Sequence, residues 1–444
     1  MPCFRLALRS AALLVAVLVV GARAQAGERL LRDAEIESAI KTIAAPIWRA
    51  AGLEPSDVAI YMIDDRELNS FVAGGQAIFL NTGLILRAEN VDQLMGVIAH
   101  ETGHIAGGHV ISTKEAIKNA SIEAIIATVV GAAAGVAGHN GASILPGMAV
   151  GQAAFNRFSI AQEATADHAA MNYLDRICQS AKGLLDFFEI LRADERLQGH
   201  QDDPWARTHP LTEERVNYLR DHVDRARCSN APVPAGDEAL FKLVQTKLHA
   251  FLDDPSVTLR RYPESDQSQL ARYARAIAYY RIPKLDKSVP LIDALIHDYP
   301  NNPYYRELKG QMLFENGRTR EAVAPYEQAV RLAPNQALLR ISLAQVYIET
   351  HDPALDKKAI AELNDAVQAE GRDSTVWRLL AIAYGRDNQL GMAALSLAEK
   401  ALADGKKTEA VQQSKRAQQN LPRGTASYYR AVEIAHEAED LGKE

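Results

Sequence analysis

The string His100-Glu101-Thr102-Gly103-His104 sets the first chemical constraint on this chain. Residues four apart share one face of a helix, so both imidazoles can reach a single metal ion. Glu101 follows the first histidine and points beside such an ion rather than at it. There it can take a proton from an attacking water and serve as general base. Catalytic zinc needs a third protein ligand and keeps one position open. A histidine at position 110 would complete one familiar pattern, but that residue is Val110, and His109 sits one step off the metal-facing side. The sequence Glu163-Ala164-Thr165-Ala166-Asp167 offers a better third ligand. Its two acids share a helical face, so Glu163 can bind the metal while Asp167 accepts a hydrogen bond from a ligating histidine. His209-Pro210, followed by Arg215, is the next candidate. A histidine near a metal can donate to the oxyanion of a tetrahedral intermediate. It can also occupy the open position and hold the site idle. The plain alternative is a residue at the entry to a helix starting at Leu211.

These side chains need elements to hold them. Residues 58–63 (VAIYMI) are rich in β-branched types and read as a strand, and residues 70–72 and 76–80 read as short strands around a Gly74-Gly75 turn. Asn90 suits the N-cap of a helix whose apolar positions are Leu94, Val97, Ile98 and Ile105. A second helix over residues 155–176 carries Glu163 and Asp167. Between them lies a run of 15 small and apolar residues, 124–138 (AIIATVVGAAAGVAG), short for a membrane span. It reads either as a packed hairpin or lid near the site, or as a segment dipping into a membrane surface, which leaves room for peripheral membrane contact.

A chain of 444 residues is long enough for two or three domains. Arg5 and Arg9, an apolar run over 11–20, and Ala22, Ala24 and Ala26 have the layout of a secretory signal peptide. Residues 1–26 are therefore expected to be removed on export. Cleavage after Ala24 takes away Arg5, Arg9 and Arg23, which moves the formal charge from −7 to −10. Such an acidic protein is a poor partner for nucleic acid. Two cysteines remain, Cys178 and Cys228, and in an oxidising compartment they either pair or stay apart.

A linker at 230–237 (NAPVPAGD) divides the chain into residues 27–232 and 237–444. In the second part Pro300 and Pro334 are 34 residues apart, one tetratricopeptide period, with Gly310, Ala322, Tyr326 and Ala329 in register. Ala276 and Tyr279 suit the unit before. Leu343, Ala344 and Tyr347, then Ala359, Leu363 and Ala366, suit the unit after. Trp377, Leu380, Ala381 and Tyr384 start another, and Ala410, Ser414, Ala417 and Pro422 close the last. The joins near Asp352 and Lys400 are irregular. Stacked helix pairs of this kind make an extended concave surface for binding another polypeptide.

The order HETGH, EATAD, THPLTEER, preceded by FVAGGQAIFLNTGL, resembles the M48 metallopeptidases. The signal peptide and repeat array resemble exported members of that family. The resemblance implies a mainly α fold: a gluzincin-type metalloprotease domain, helices plus a small β-sheet, followed by an α-solenoid of tetratricopeptide repeats. It implies one Zn²⁺ per chain on His100, His104 and Glu163, with Glu101 as base and Asp167 orienting a ligand. It places His209 and Arg215 at the catalytic centre, His209 regulating access to the zinc, and makes residues 75–81 the edge strand against which a substrate is laid. It further implies a periplasmic endopeptidase. Its substrates would be unfolded or misassembled envelope proteins, above all outer-membrane β-barrel proteins, and its partner the machinery that assembles them. Two other functions stay open: a periplasmic chaperone or adaptor with a mostly latent protease, and a processing enzyme for one defined partner.

Overall fold

The structure, a computed structural model, describes residues 29–109, 160–198, 205 and 209–440. The expected signal peptide, the run over 124–138 and residues 155–159 lie outside them. Among the described residues no helix is long and apolar enough to cross a membrane.

Strand β1 (Arg29–Leu31) leads into α1 (Ala34–Ala50), which the Asp33 side chain caps by accepting from the Ile36 amide. This helix was not apparent from the motifs. Ile36, Ile40, Ile43 and Ile47 recur along one face and are buried; burying each contributes roughly 1.5–3 kcal/mol. The strands β2 (Ala59–Asp64), β3 (Ser70–Ala73) and β4 (Ala77–Asn81) follow, close to the three expected. They form one sheet in the order β1-β2-β4-β3, with β2 and β4 parallel and the other pairs antiparallel. One sheet face (Ile60, Met62, Val72, Ile78, Leu80) joins α1 in the main core. On the other face Tyr61, Phe79 and Phe71 stack across neighbouring strands, with ring centroids 5.2 and 4.9 Å apart.

The short α2 (Thr82–Arg87) connects to α3 (Val91–Ala106), capped by the Asn90 side chain as expected. The helix ends on Gly108, whose φ of +65° suits a residue without Cβ. The amides of Gly108 and His109 bond the carbonyls of Ile105 and His104, a Schellman closure that fixes the last turn. Helices α4 (Ile160–Arg176), α5 (Lys182–Gln198) and α6 (Glu213–Arg225) complete this part. Thr212 caps α6, so the helix begins two residues later than Leu211. Just past α4 and α6, Cys178 and Cys228 are joined in a disulfide.

From α7 (Ala235–Leu252) and α8 (Pro255–Arg261) onward the chain is helical. Phe241, Val244 and Leu248 of α7 pack into the first core, so the helix next to the linker bridges the two parts. The array comprises α9 (Gln269–Arg281), α10 (Leu285–Asp298), α11 (Pro303–Glu315), α12 (Thr319–Leu332), α13 (Ala337–Glu349), α14 (Pro353–Glu370), α15 (Ser374–Arg386), α16 (Leu390–Ala403), α17 (Lys407–Asn420) and α18 (Ala426–Asp440). The expected contact residues Ala322, Ala329, Ala344, Ala359, Ala366 and Ala417 are buried between helices. The irregularity at Asp352 is a long α14 of 18 residues, where α10 and α12 have 14. Lys400 lies inside an unbroken α16, and α18 continues the stack past Pro422.

The array also touches the first part directly. Buried Lys247 pairs with Asp33 at 2.8 Å and Glu35 at 3.0 Å, and Arg32 reaches Glu370 at 2.8 Å.

The disulfide links the far ends of two helices that carry site residues. Replacing both Cys178 and Cys228 by serine should destabilise the protein by roughly 3–4 kcal/mol, the range for a loop of this size. Thermal unfolding of the oxidised wild type against the double variant measures this.

Candidate active site

His100 and His104 project from α3, Glu163 and Asp167 from α4, and His209 from the segment before α6; all five side chains are buried. The helices meet closely because residue 103 is glycine. A Cβ there would lie 2.7 Å from the Ala166 carbonyl oxygen and 2.9 Å from its Cα, so a larger residue would push α4 away. Sequence reasoning did not single out Gly103, although it stands inside the motif.

Among the described residues, one ligand atom each from His100, His104, Glu163 and His209 lies within 4.8 Å of all the others. His100 Nε2 is 3.1 Å from His104 Nε2 and 3.4 Å from His209 Nδ1. Glu163 Oε1 is 3.2 Å from His104 Nε2 and 3.1 Å from His209 Nδ1, and its Oε2 is 3.5 Å from His100 Nε2. Ligands 2.0–2.1 Å from a tetrahedral metal stand about 3.3–3.4 Å from one another. The His100, His104 and Glu163 donors, 3.1–3.5 Å apart, therefore have the spacing of a divalent-cation site, with His209 Nδ1 beside them.

The electrostatics agree. Burial pushes the His104 imidazole down to about 3, leaving it neutral and able to ligate. Burial also lowers His100, but the hydrogen bonds it donates to Asp167 and Glu163 outweigh it and raise the group to about 10. Carboxylates that draw a proton onto this ring also draw a metal ion toward it. Glu163 is held well below the usual carboxylate range: burial would raise it, and His209, His100 and His104 pull it down.

Asp167 Oδ1 lies 2.9 Å from His100 Nδ1, the arrangement that orients a ligating imidazole. Arg215 donates to the same carboxylate through Nε (2.6 Å) and Nη2 (2.9 Å). Its Nη1 lies 2.9 Å from Glu163 Oε2 and donates to the Pro210 carbonyl at 2.7 Å. Arg215 thus ties Glu163, Asp167 and the Pro210 carbonyl together, and its guanidinium lies over the Phe188 ring, 5.1 Å from the centroid. Burial would also raise Asp167, but the Arg215 and His100 hydrogen bonds hold it below its ordinary value.

Glu101 is fully buried beside the cluster. Its Oε1 accepts a 2.5 Å hydrogen bond from Ser70 Oγ, and among the described residues its Oε2 has no hydrogen-bond partner. His209 stacks on Trp205 with ring centroids 4.6 Å apart, and its Nε2 lies 3.2 Å from the Ser70 carbonyl oxygen. With Nε2–H donating to that oxygen, Nδ1 keeps its lone pair and faces the other ligands. His109 lies past the Schellman turn, outside the four-residue cluster, its ring centroid 5.4 Å from that of His104.

The expected edge strand is corrected. Residues 77–81 form β4, which is paired on both sides, by β2 and by β3. The outer strands are β1 and β3, and β3 is the one that carries Ser70 beside Glu101. The Asn81 amide donates to the Asn69 carbonyl, so that pair is hydrogen-bonded and the next one, Ser70 with Leu80, is not. Ser70 and Val72 therefore turn their main-chain groups to the open side of the sheet. The glycine turn and β-branched residues revealed a hairpin, but which strand ends a sheet depends on pairings distant in sequence.

An HExxH helix, a glutamate on a following helix and a repeat array define a metalloprotease joined to a protein-binding solenoid. Residues 30–223 match the Peptidase family M48, and residues 313–384 match the tetratricopeptide repeat. The chain is 23% identical over 403 residues to a Beta-barrel assembly-enhancing protease of Yersinia pestis, covering 87% of this chain and 80% of that protein. It is 23% identical over 383 residues to the protein of the same name in Escherichia coli (strain K12), covering 82% and 76%. Metalloprotease LoiP of that strain is 29% identical over 194 residues, 43% of this chain and 72% of that protein.

Removing the carboxylate ligand should empty the site. Glu163→Ala is expected to lose bound metal, while His109→Ala keeps about one ion per chain, the stoichiometry of a single three-ligand site. Elemental analysis of the purified full chain checks both; full occupancy in Glu163→Ala would refute the ligand assignment.

Proposed function

We propose that this protein is an exported zinc endopeptidase of the cell envelope, with residues 27–232 as its protease domain and 237–444 as its partner-binding array. The observation that carries this reading is the tetrahedral spacing of His100, His104 and Glu163 beside a buried Glu101. A mixed imidazole and carboxylate set of this size favours zinc. Such an ion, when bound, polarises a scissile carbonyl and makes a water acidic enough to attack it. Glu101 Oε2, which among the described residues has no hydrogen-bond partner, accepts the water's proton and later delivers it to the leaving amine. Asp167 and Arg215 hold the ligands in place. An extended substrate would pair with the open side of β3.

The relatives' name supports outer-membrane β-barrel proteins, unfolded or stalled in assembly, as substrates, and their assembly machinery as partner. The Cys178–Cys228 disulfide suits the periplasm. Chaperone activity of the array belongs to the same proposal.

A latent resting state is a second reading with its own observation. His209 Nδ1 lies 3.4 Å from His100 Nε2 and 3.1 Å from Glu163 Oε1, which supports a role as fourth ligand, while its Nε2 faces the main-chain carbonyl that a substrate would use. This favours His209 as a closing ligand over His209 as an oxyanion donor.

Glu101→Gln should retain fold and metal and lose proteolysis by on the order of 10²–10⁴, the contribution typical of a general base. Full activity in that variant would overturn the assignment. His209→Ala separates the two roles of the histidine. Release of a closing ligand raises basal proteolysis, whereas loss of an oxyanion donor lowers kcat by about 10²–10³. An increase is expected in an assay on unfolded protein.

A further inference from the structure

We propose that Ser70 is a positioning residue for peptide hydrolysis, holding Glu101 in register with the strand on which substrate is laid. The inference rests on the reading of Glu101 as base and adds a residue to it. Ser70 is fully buried, and its hydroxyl donates to Glu101 Oε1 at 2.5 Å. The side chain points to α3 because Ser70, like Val72, lies on the sheet face turned to the main core. Among the described residues the bond leaves Oε2 as the Glu101 oxygen without a hydrogen-bond partner. A carboxylate with one oxygen tied has only the other to offer a water, and its plane can no longer rotate freely. Charge-assisted bonds of this kind are short and roughly twice as strong as neutral ones.

The same residue faces the substrate through its backbone. Its carbonyl points to the open side of the sheet, where His209 Nε2 lies 3.2 Å away. When the histidine moves off, that carbonyl is free to accept from an extended peptide. One residue then sets the depth of the substrate through its main chain and the angle of the base through its side chain. A shift of β3 would displace both together, so the distance from peptide to base is preserved. Glu101 sits on α3 and the substrate on the sheet; among the described residues Ser70 is the direct hydrogen-bonded link between them.

The test uses the full chain and fluorescein-labelled unfolded casein. Ser70→Ala keeps the backbone contact and loses the hydroxyl. It should lower kcat about 10- to 100-fold, as misplacement of a reacting group does, while KM changes less than about twofold. Ser70→Thr, which restores a hydroxyl, should recover most of the loss. In a Glu101→Gln background Ser70→Ala should have no further effect on residual turnover, and casein binding by anisotropy should be unaltered. A kcat for Ser70→Ala within twofold of wild type, or an equal loss in both backgrounds, would overturn the proposal. A second measurement is independent of activity. In the metal-free chain Ser70→Ala should lower the melting midpoint by roughly 2–4 °C when Glu101 is present, and by much less in Glu101→Ala. Equal shifts would show that no bond couples the two residues. If Glu101→Gln stays active but the melting shifts differ, the base assignment fails while the Ser70–Glu101 link stands.

Discussion

The Asp167–Arg215 ion pair is the interaction on which the site depends. Both side chains are sealed from solvent, and breaking such a pair by removing one partner typically costs about 3–5 kcal/mol because a charge is left uncompensated. The pair is also a junction. Asp167 orients His100 on α3, while Arg215 on α6 holds Glu163 on α4 and the Pro210 carbonyl next to His209. Three helices and one loop are thereby registered to each other by five short contacts. A metal ion entering this site meets ligands already placed, so little ordering remains to oppose binding.

Around that junction each element of the site is held by contacts of its own. The α3–α4 contact is tight, with Gly103 pressed on the Ala166 backbone. The Schellman closure at Gly108 holds the turn bearing His104. His209 is anchored differently, by stacking on Trp205 and by one bond to the edge strand.

The repeat array is bound to the protease part rather than trailing from it. Lys247 and Tyr273 close on Glu35 at the start of α1, and Arg372 donates to the Gly74 carbonyl in the β3–β4 turn. The α14–α15 loop is thereby hydrogen-bonded to the hairpin that carries Ser70. Fully buried Lys247 answers the acids at this junction, so separating the two parts would expose or strand charges.

Much of the site was legible in the linear sequence because its chemistry is local. HExxH puts two imidazoles and a carboxylate on adjoining turns of one helix, and the ExxxD spacing puts two more carboxylates on one face of the next. Periodicity alone likewise marked the repeats, since every unit buries the same small residues. What the chain order cannot express is which surfaces meet. The pairing of Cys178 with Cys228, the contact of Arg215 with Glu163 and Asp167 and the outer place of β3 all follow from contacts between residues far apart in sequence. Ser70 shows the limit most plainly. A serine at the start of a short strand is unremarkable by type and spacing, and it acquires a role only because antiparallel pairing turns its carbonyl outward while the pleat turns its hydroxyl toward α3. Residue types and helical spacing determined the reaction this protein can perform; the packing of sheet, helices and loop decided how the base is held and how the site is closed, because those depend on distances that only the folded chain brings into being.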